Sequence, residues 1–507
     1  MPFRFALLLC ALLITARLAE GKVLILGGGL AGLQAAQTLK DNGVDFLLLE
    51  GSDHVGGRLA AAAIDEVAAD SFSWTRDTTP GGDPFGPWFQ KCNLDWSEPG
   101  TIALTMINDT GADITSVTNG RLGELYSILT EAARAYDNGD IPDSRSPSLG
   151  ALLTLYGWHP TTPIDWILEW YFFELDHGLA LHAQSATNYL FLLSPTNGIA
   201  KTLQFYYSSN ELKPARVLPK CMSDTIFAGD MQNKLVLNAK VTSISYTSSG
   251  VTVTTESGTT YEGDYAIVTF SLGVLQRGLV TFTPEIPFWK RLAWSEFDML
   301  TTTVLYAVFD TKLSLANEFY TYVTHDLNNN WIRDMTSTLS HLPEYANKTV
   351  LHIYVTGRYA ERLIDQAWSK TINDIAIMFR NMFGKEPSNV YMAAPGKDPL
   401  LLGGFPSWPV GASWEDFDDV RRPVGGRLFF AGDLCWYFRV ARASMISGEE
   451  TANVVTSCMN GGSCAYRKFA QTATPNECPT TSEESRVGAG MMIAVVLCLI
   501  VMWRGMN

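Results

Sequence analysis

Between Gly27 and Gly32 the chain reads Gly-Gly-Gly-Leu-Ala-Gly, six residues that fit the GxGxxG spacing of a phosphate-binding turn. Such a turn works through its backbone. Gly27 makes the sharp bend, Gly29 lets backbone amides approach a pyrophosphate, and Gly32 lets a helix pack closely on a strand, with Leu30 and Ala31 opening that helix. The helix N-terminus then turns unpaired N–H groups toward the phosphates. The bare motif is weak, and its setting strengthens it. The apolar run Lys22–Leu26 precedes the turn, a helical pattern closed by Gly43 follows, and a second apolar run ends on Glu50. That spacing of about 20 residues places a carboxylate where it accepts hydrogen bonds from ribose hydroxyls. A carboxylate there repels a 2′-phosphate, which argues against NADP.

Directly after Glu50 comes Gly51-Ser52-Asp53-His54-Val55-Gly56-Gly57-Arg58, and further blocks follow: LNAKVTSISY, GVTVTTESG, GDYAIVTFSLGVLQRGLVTFTPEIPFWK, FPSWPVG, RPVGGRLFFAGD and ISGEETAN. Together these resemble the flavin amine oxidases, closest to the secreted plant-type polyamine oxidases, from Lys22 to about Cys464. The resemblance implies FAD as cofactor, with Gly57 and Arg58 at its diphosphate; a planar guanidinium fork also suits phosphate oxygens physically. It further implies that Val241 meets the adenine through its backbone and that Gly432 and Asp433 hold the ribityl chain. The last helix should aim its positive end at the flavin. Where the family carries Glu after its AGx, this chain carries Asp433, one methylene shorter.

The same resemblance implies oxidation of an amine by hydride transfer to flavin N5, with O2 reduced to H2O2, so that an amine and O2 are the small-molecule partners. The family's catalytic pattern is incomplete here. A lysine holding a water near N5 is expected on the strand after Phe297-Asp298, and in this chain Val304 falls at that position. Thr302 and Tyr306 share its face of the strand and carry groups able to bind the water. The turn before the family's Trp reads Asp70-Ser71-Phe72-Ser73-Trp74, and the segment Leu434 to Arg442 is shortened and lacks its glycine. Of two aromatic walls expected around the substrate, Phe405 matches one, while Met445 stands where the other belongs. Asp176 and Glu174, in the aromatic stretch WILEWYFFELDHG, are candidates to receive a substrate ammonium, although each could equally be a solvated helix charge. Three functions fit: an amine oxidase, favoured for polyamines; a flavoenzyme for another substrate such as an amino acid, with Arg439 or Arg442 on its carboxylate; and a catalytically degenerate surface flavoprotein.

Elements must position these residues, and the patterning supplies them. Lys22 to Glu50 reads as strand, helix, strand, a βαβ opening. Asp83 to Leu218 is richer in aromatic residues and helical pattern; LVLNAKVTSISYTSSGVTVTTESGTTYEGDYAIVTFSL alternates as a three-stranded meander; strands resume at LTTTVLYAVF and VLHIYVTG, and helices follow at AERLIDQAWSKTINDIAIMFRNMF. The expected fold is α/β (α+β, two-domain), with a discontinuous Rossmann-like FAD-binding domain over 22–82, 219–287 and 400–457. A substrate domain then takes 83–218 and 288–399, a tail and polar linker 458–486.

The 507 residues are 47% hydrophobic and 18% charged, a globular balance. Asp and Glu outnumber Lys and Arg by 52 to 37, a formal charge of −15, which argues against nucleic acid and tolerates a cationic ligand. Residues 1–21 read as an export signal, and the uncharged stretch 487–503 as a membrane attachment, either a cleaved lipid-anchor signal or a short transmembrane helix. The expected location is therefore the secretory pathway and the outer cell surface. Asn108 and Asn347 open glycosylation sequons. Cys458 and Cys464, bracketing a Gly-Gly turn, are the best placed local disulfide, and the pairing of the remaining cysteines stays open. No zinc-site spacing is present.

Overall fold

The computed structural model describes residues 22–59, 84–94, 104–141, 146–174, 177–193, 213–315, 347–435, 441–466 and 468, together with the strand fragments 63–64, 67–68, 74–77, 203–206 and 319–323. The segments expected to be an export signal and a membrane attachment, residues 1–21 and 487–503, lie outside them, as do Asp176 and Arg439.

The first strand, β1 (Lys22–Leu26), is followed by helix α1 (Leu30–Asp41) and strand β2 (Asp45–Leu49), which pairs parallel with β1 from Lys22↔Asp45 to Leu26↔Leu49. Both strands are almost wholly buried, as apolar strands covered on two faces must be. β3 (Leu235–Val236) adds to β2. β4 (Val241–Tyr246), β5 (Val251–Thr255) and β6 (Thr260–Gly263) form the antiparallel meander read from the alternation, and β7 (Tyr265–Val268) returns to pair with β1. With β14 (Leu428–Phe430) beside β7, the parallel sheet has the order β14-β7-β1-β2-β3. Strand β8 (Thr281–Thr283) joins the meander parallel to β4.

A second sheet stands apart from the first. β9 (Asp298–Leu300) leads into β10 (Thr302–Phe309), the centre of a three-stranded antiparallel sheet between β11 (Thr349–Thr356) and β12 (Asn389–Ala393). Period-two geometry divides its faces. Leu305, Ala307, Leu351, Ile353 and Val355 pack under helices α2 (Gly357–Asp365) and α3 (Trp368–Phe383) in one core. Thr302, Val304 and Tyr306 face the other way, and the register sets Val304 between Tyr354 and Ala393. β13 (Phe405–Ser407) pairs with β9, Leu300 opposite Phe405, tying this sheet to the chain that returns to the nucleotide fold.

Helices dominate the described residues between Gly86 and Ile226, as the aromatic-rich pattern suggested. One of them, Pro163–Glu169, begins with a capping box of Thr162 and Asp165 and runs into a π-helical turn, Trp170–Glu174, whose aromatic side chains fill a core with Trp158 and Leu125. Disulfides join Cys458 to Cys464 and Cys92 to Cys221, the second being the pairing the sequence left open. None of the helices among the described residues is long and apolar enough to cross a membrane.

Candidate active site

The glycine turn, the acidic end of β2 and the segment after β14 open onto one cavity. Of the residues singled out in the sequence, Gly27, Gly29, Leu30, Ala31, Glu50, Gly57, Arg58, Val241, Phe405, Gly432 and Asp433 all line it. Gly32 does not, and its role is packing: a Cβ there would stand 1.9 Å from the Gly27 carbonyl oxygen. A Cβ on Gly29 would meet nothing within 4 Å, so the backbone there is open to the space a diphosphate would fill. The Gly28 amide donates to Glu50 Oε2 at 2.5 Å, and the Ser52 amide to Oε1 at 2.8 Å. These bonds lock the carboxylate at the cavity wall. Helix α4 (Ala441–Met459) places Ala441 and Ser444 of its first turn on the lining, so its positive end points into the cavity.

Arg58 carries a connection that sequence spacing does not reveal. Its Nη1 and Nη2 donate to Asp433 Oδ2 and Oδ1 at 2.6 and 2.8 Å, a bidentate ion pair, and Nη1 also donates to the Gly404 carbonyl at 2.7 Å. Gly404 is held from its other side by Thr302, whose Cγ2 would lie 2.0 Å from a Cβ at 404. The peptide before Phe405 is thus clamped between the nucleotide fold and β10.

The remaining catalytic candidates are dispersed. Val304 is buried at 3% exposure and does not line the cavity; only its neighbour Thr302 touches a lining residue. Met445 is wholly buried in the nucleotide-fold core with Leu33 and Phe429, so it forms no wall of the cavity, because its helix turns that face to the sheet. Trp74 lies on a strand fragment paired with Tyr206. Glu174 ends the π-helical turn, away from the cavity lining, with Oε1 3.4 Å from Arg358 Nη2. Burial raises its pKa, offset by Arg358 and His182. Arg442 is buried at 8% exposure on the last helix.

The sequence reading singled out neither the buried Lys290, whose partners are about 130 residues away, nor the half-buried Glu169. Lys290 is fully buried and donates to the carbonyls of Asp419, Val420 and Arg422 at 3.1, 2.7 and 2.8 Å, at the end of helix Trp414–Arg421. Glu169 accepts from Trp158 Nε1 at 2.9 Å, and burial, with Glu174 and Asp165 nearby, raises its pKa to about 7. A carboxyl raised above its unfolded value stabilises the fold fully below that value and loses this contribution as pH rises through 7. Glu169→Gln should therefore flatten the fall in thermal stability between pH 5 and 8, by about 1–2 kcal/mol after solvent screening. Melting curves at both pH values check this, and parallel losses in wild type and variant would refute it.

Comparison with known proteins decides the family. The model for flavin containing amine oxidoreductases matches residues 149–456, and one for a Rossmann-like NAD(P)-binding domain matches 25–74. The chain belongs to the flavin-containing amine oxidoreductase family. It is 26% identical over 480 residues to polyamine oxidase 6 of Oryza sativa subsp. japonica, covering 88% of this chain and 92% of the relative. Polyamine oxidase 1 of Zea mays is 25% identical with the same coverage. A solved putrescine oxidase bound to putrescine has the same fold, with a TM-score of 0.65 over 85% of this chain and 98% of its own, at 16% identity. This amine oxidoreductase chain is thus an FAD-dependent enzyme, and the open backbone at Gly29, the fixed Glu50 carboxylate and the Arg58–Asp433 pair fit that cofactor.

Proposed function

We propose that this enzyme oxidises polyamines of the spermine and spermidine class. The observation that carries the reading is that Phe405, the aromatic residue matched to a substrate wall, lines the same cavity as Glu50, Arg58 and Asp433. The bound flavin supplies a two-electron acceptor for the hydride lost from the amine carbon, and O2 takes the electrons to give H2O2. The chain's own residues bind and orient. The glycine turn and the first turn of α4 would hold the diphosphate and flavin with backbone N–H groups, Glu50 the ribose, the Val241 backbone the adenine, and Gly432 with Asp433 the ribityl chain. Arg58, whose Nη1 and Nη2 are paired with Asp433, would offer its remaining N–H groups to the diphosphate. Residues 22–82, 219–287 and 400–457 form the cofactor domain in this reading, and 83–218 with 288–399 the substrate domain.

The acidic balance, 52 carboxylates against 37 basic side chains, favours encounter with a polycation. Purified protein should generate peroxide aerobically with spermine or spermidine and not with neutral amino acids. Peroxide with amino acids alone would replace this reading by an amino-acid oxidase, and none with any donor would make the chain a degenerate flavoprotein.

A further inference from the structure

Around Phe405 the packing is not confined to the nucleotide fold. Leu179, Leu300 and Phe405 form a small buried cluster against which Ala183 and Tyr354 pack. Tyr354 sits on β11 directly across from Val304 on β10, so both project from the sheet face opposite the α2/α3 core. Its strand neighbours Ile353 and Val355 are completely buried, yet Tyr354 is only half-buried. Tyr354 is not on the cavity lining itself and reaches that region through the cluster it shares with Phe405, which is on the lining. Tyr354 also packs against the aromatic core of the π-helical turn that ends in Glu174. Two residues further along β11, Thr356 Oγ1 donates to the Glu174 carbonyl at 3.1 Å, fixing that turn against the same strand. Met445, the residue that the sequence sets at the second wall, is in the nucleotide-fold core instead.

We infer that Tyr354 is a specificity-determining residue, whose ring, with Phe405, takes the alkylammonium chain of the substrate. The inference rests on the polyamine reading above. A cation is drawn to the negative face of an aromatic ring, and the strength of that attraction grows as water is excluded. The ring comes from a strand of the second sheet, not from α4, so its place in the site depends on the register Val304↔Tyr354.

The test uses the full flavin-loaded chain and three variants. Tyr354→Leu removes the ring and keeps an apolar side chain; Tyr354→Phe keeps the ring and removes only the hydroxyl. Kd for spermidine is read from the saturation of the anaerobic flavin-reduction rate in stopped flow, and KM and kcat from peroxide formation. Tyr354→Leu should raise both Kd and KM by about three- to thirtyfold with kcat changed less than twofold, and Tyr354→Phe should restore wild-type values. Val117→Ala, at an exposed helix position, is the control and should change nothing. Unchanged Kd in Tyr354→Leu, a Phe variant as weak as Leu, or loss of flavin from the Leu variant would each overturn the assignment. Failure of the polyamine reading is distinct, since wild type would then neither bind spermidine nor make peroxide from it.

Discussion

Arg58→Ala is expected to yield protein that loses its flavin on gel filtration, with FAD affinity lowered roughly 30- to 1,000-fold. The magnitude follows from one forked, charge-assisted contact worth about 2–4 kcal/mol in a water-poor site. The same substitution leaves Asp433, 9% exposed, as an unpaired carboxylate and frees the Gly404 carbonyl. Breaking a buried pair from one side costs about 3–5 kcal/mol, so the variant should also melt earlier before any cofactor is considered. Arg421→Ala separates the two effects. Arg421 is more deeply buried, its side chain 5% exposed against 21% for Arg58, 3.4 Å from both Asp418 and Glu450 and stacked 5.3 Å from the Tyr466 ring, but it is not on the cavity lining. It should lose stability and keep FAD. Equal flavin retention in Arg58→Ala and wild type, measured by absorbance ratio after dialysis, would contradict the assignment of Arg58.

Val304→Lys should accelerate the oxygen half-reaction by about two to three orders of magnitude. Valine supplies neither a charge nor a hydrogen bond, whereas an ammonium beside the reacting end favours negative charge on reduced oxygen and holds a proton-relaying water. One such charge-assisted interaction is worth a few kcal/mol, and each 1.36 kcal/mol is about tenfold in rate. Burying an ammonium at a site with 3% exposure should lower the melting temperature at the same time. Stopped-flow reoxidation of the pre-reduced variant reads the rate directly. Wild type reoxidising as fast as the variant would show that Thr302, which abuts Gly404, already serves, and would remove Val304 from the account.

What was legible in the sequence was local. Gly27 to Gly32 and Glu50 fall within one βαβ unit, where helix pitch and strand length fix the geometry, and the spacing therefore foretold both the turn and the carboxylate. Cys458 and Cys464 are 6 residues apart and were readable, whereas Cys92 and Cys221, 129 apart, were not. The clamp of Arg58 on Asp433 and Gly404 spans 375 and 346 residues, and only the assembled sheets bring those groups within hydrogen-bond reach. Met445 shows the opposite failure. A position matched by motif spacing alone was set at a wall, but helix rotation turns its side chain into the core. Tyr354 gave no signal at all, because its neighbour Val304 is 50 residues away and is found by strand register.

In the proposed reading one cavity joins the cofactor's place to that of an oxidisable amine. This is tested most directly by mixing the purified, yellow, flavin-loaded chain with spermidine under anaerobic conditions and following the absorbance near the flavin's visible maximum. The colour should bleach with saturable dependence on spermidine and return on admission of air with peroxide released. A chain that carries no flavin, or a flavin that spermidine leaves fully coloured, would contradict it.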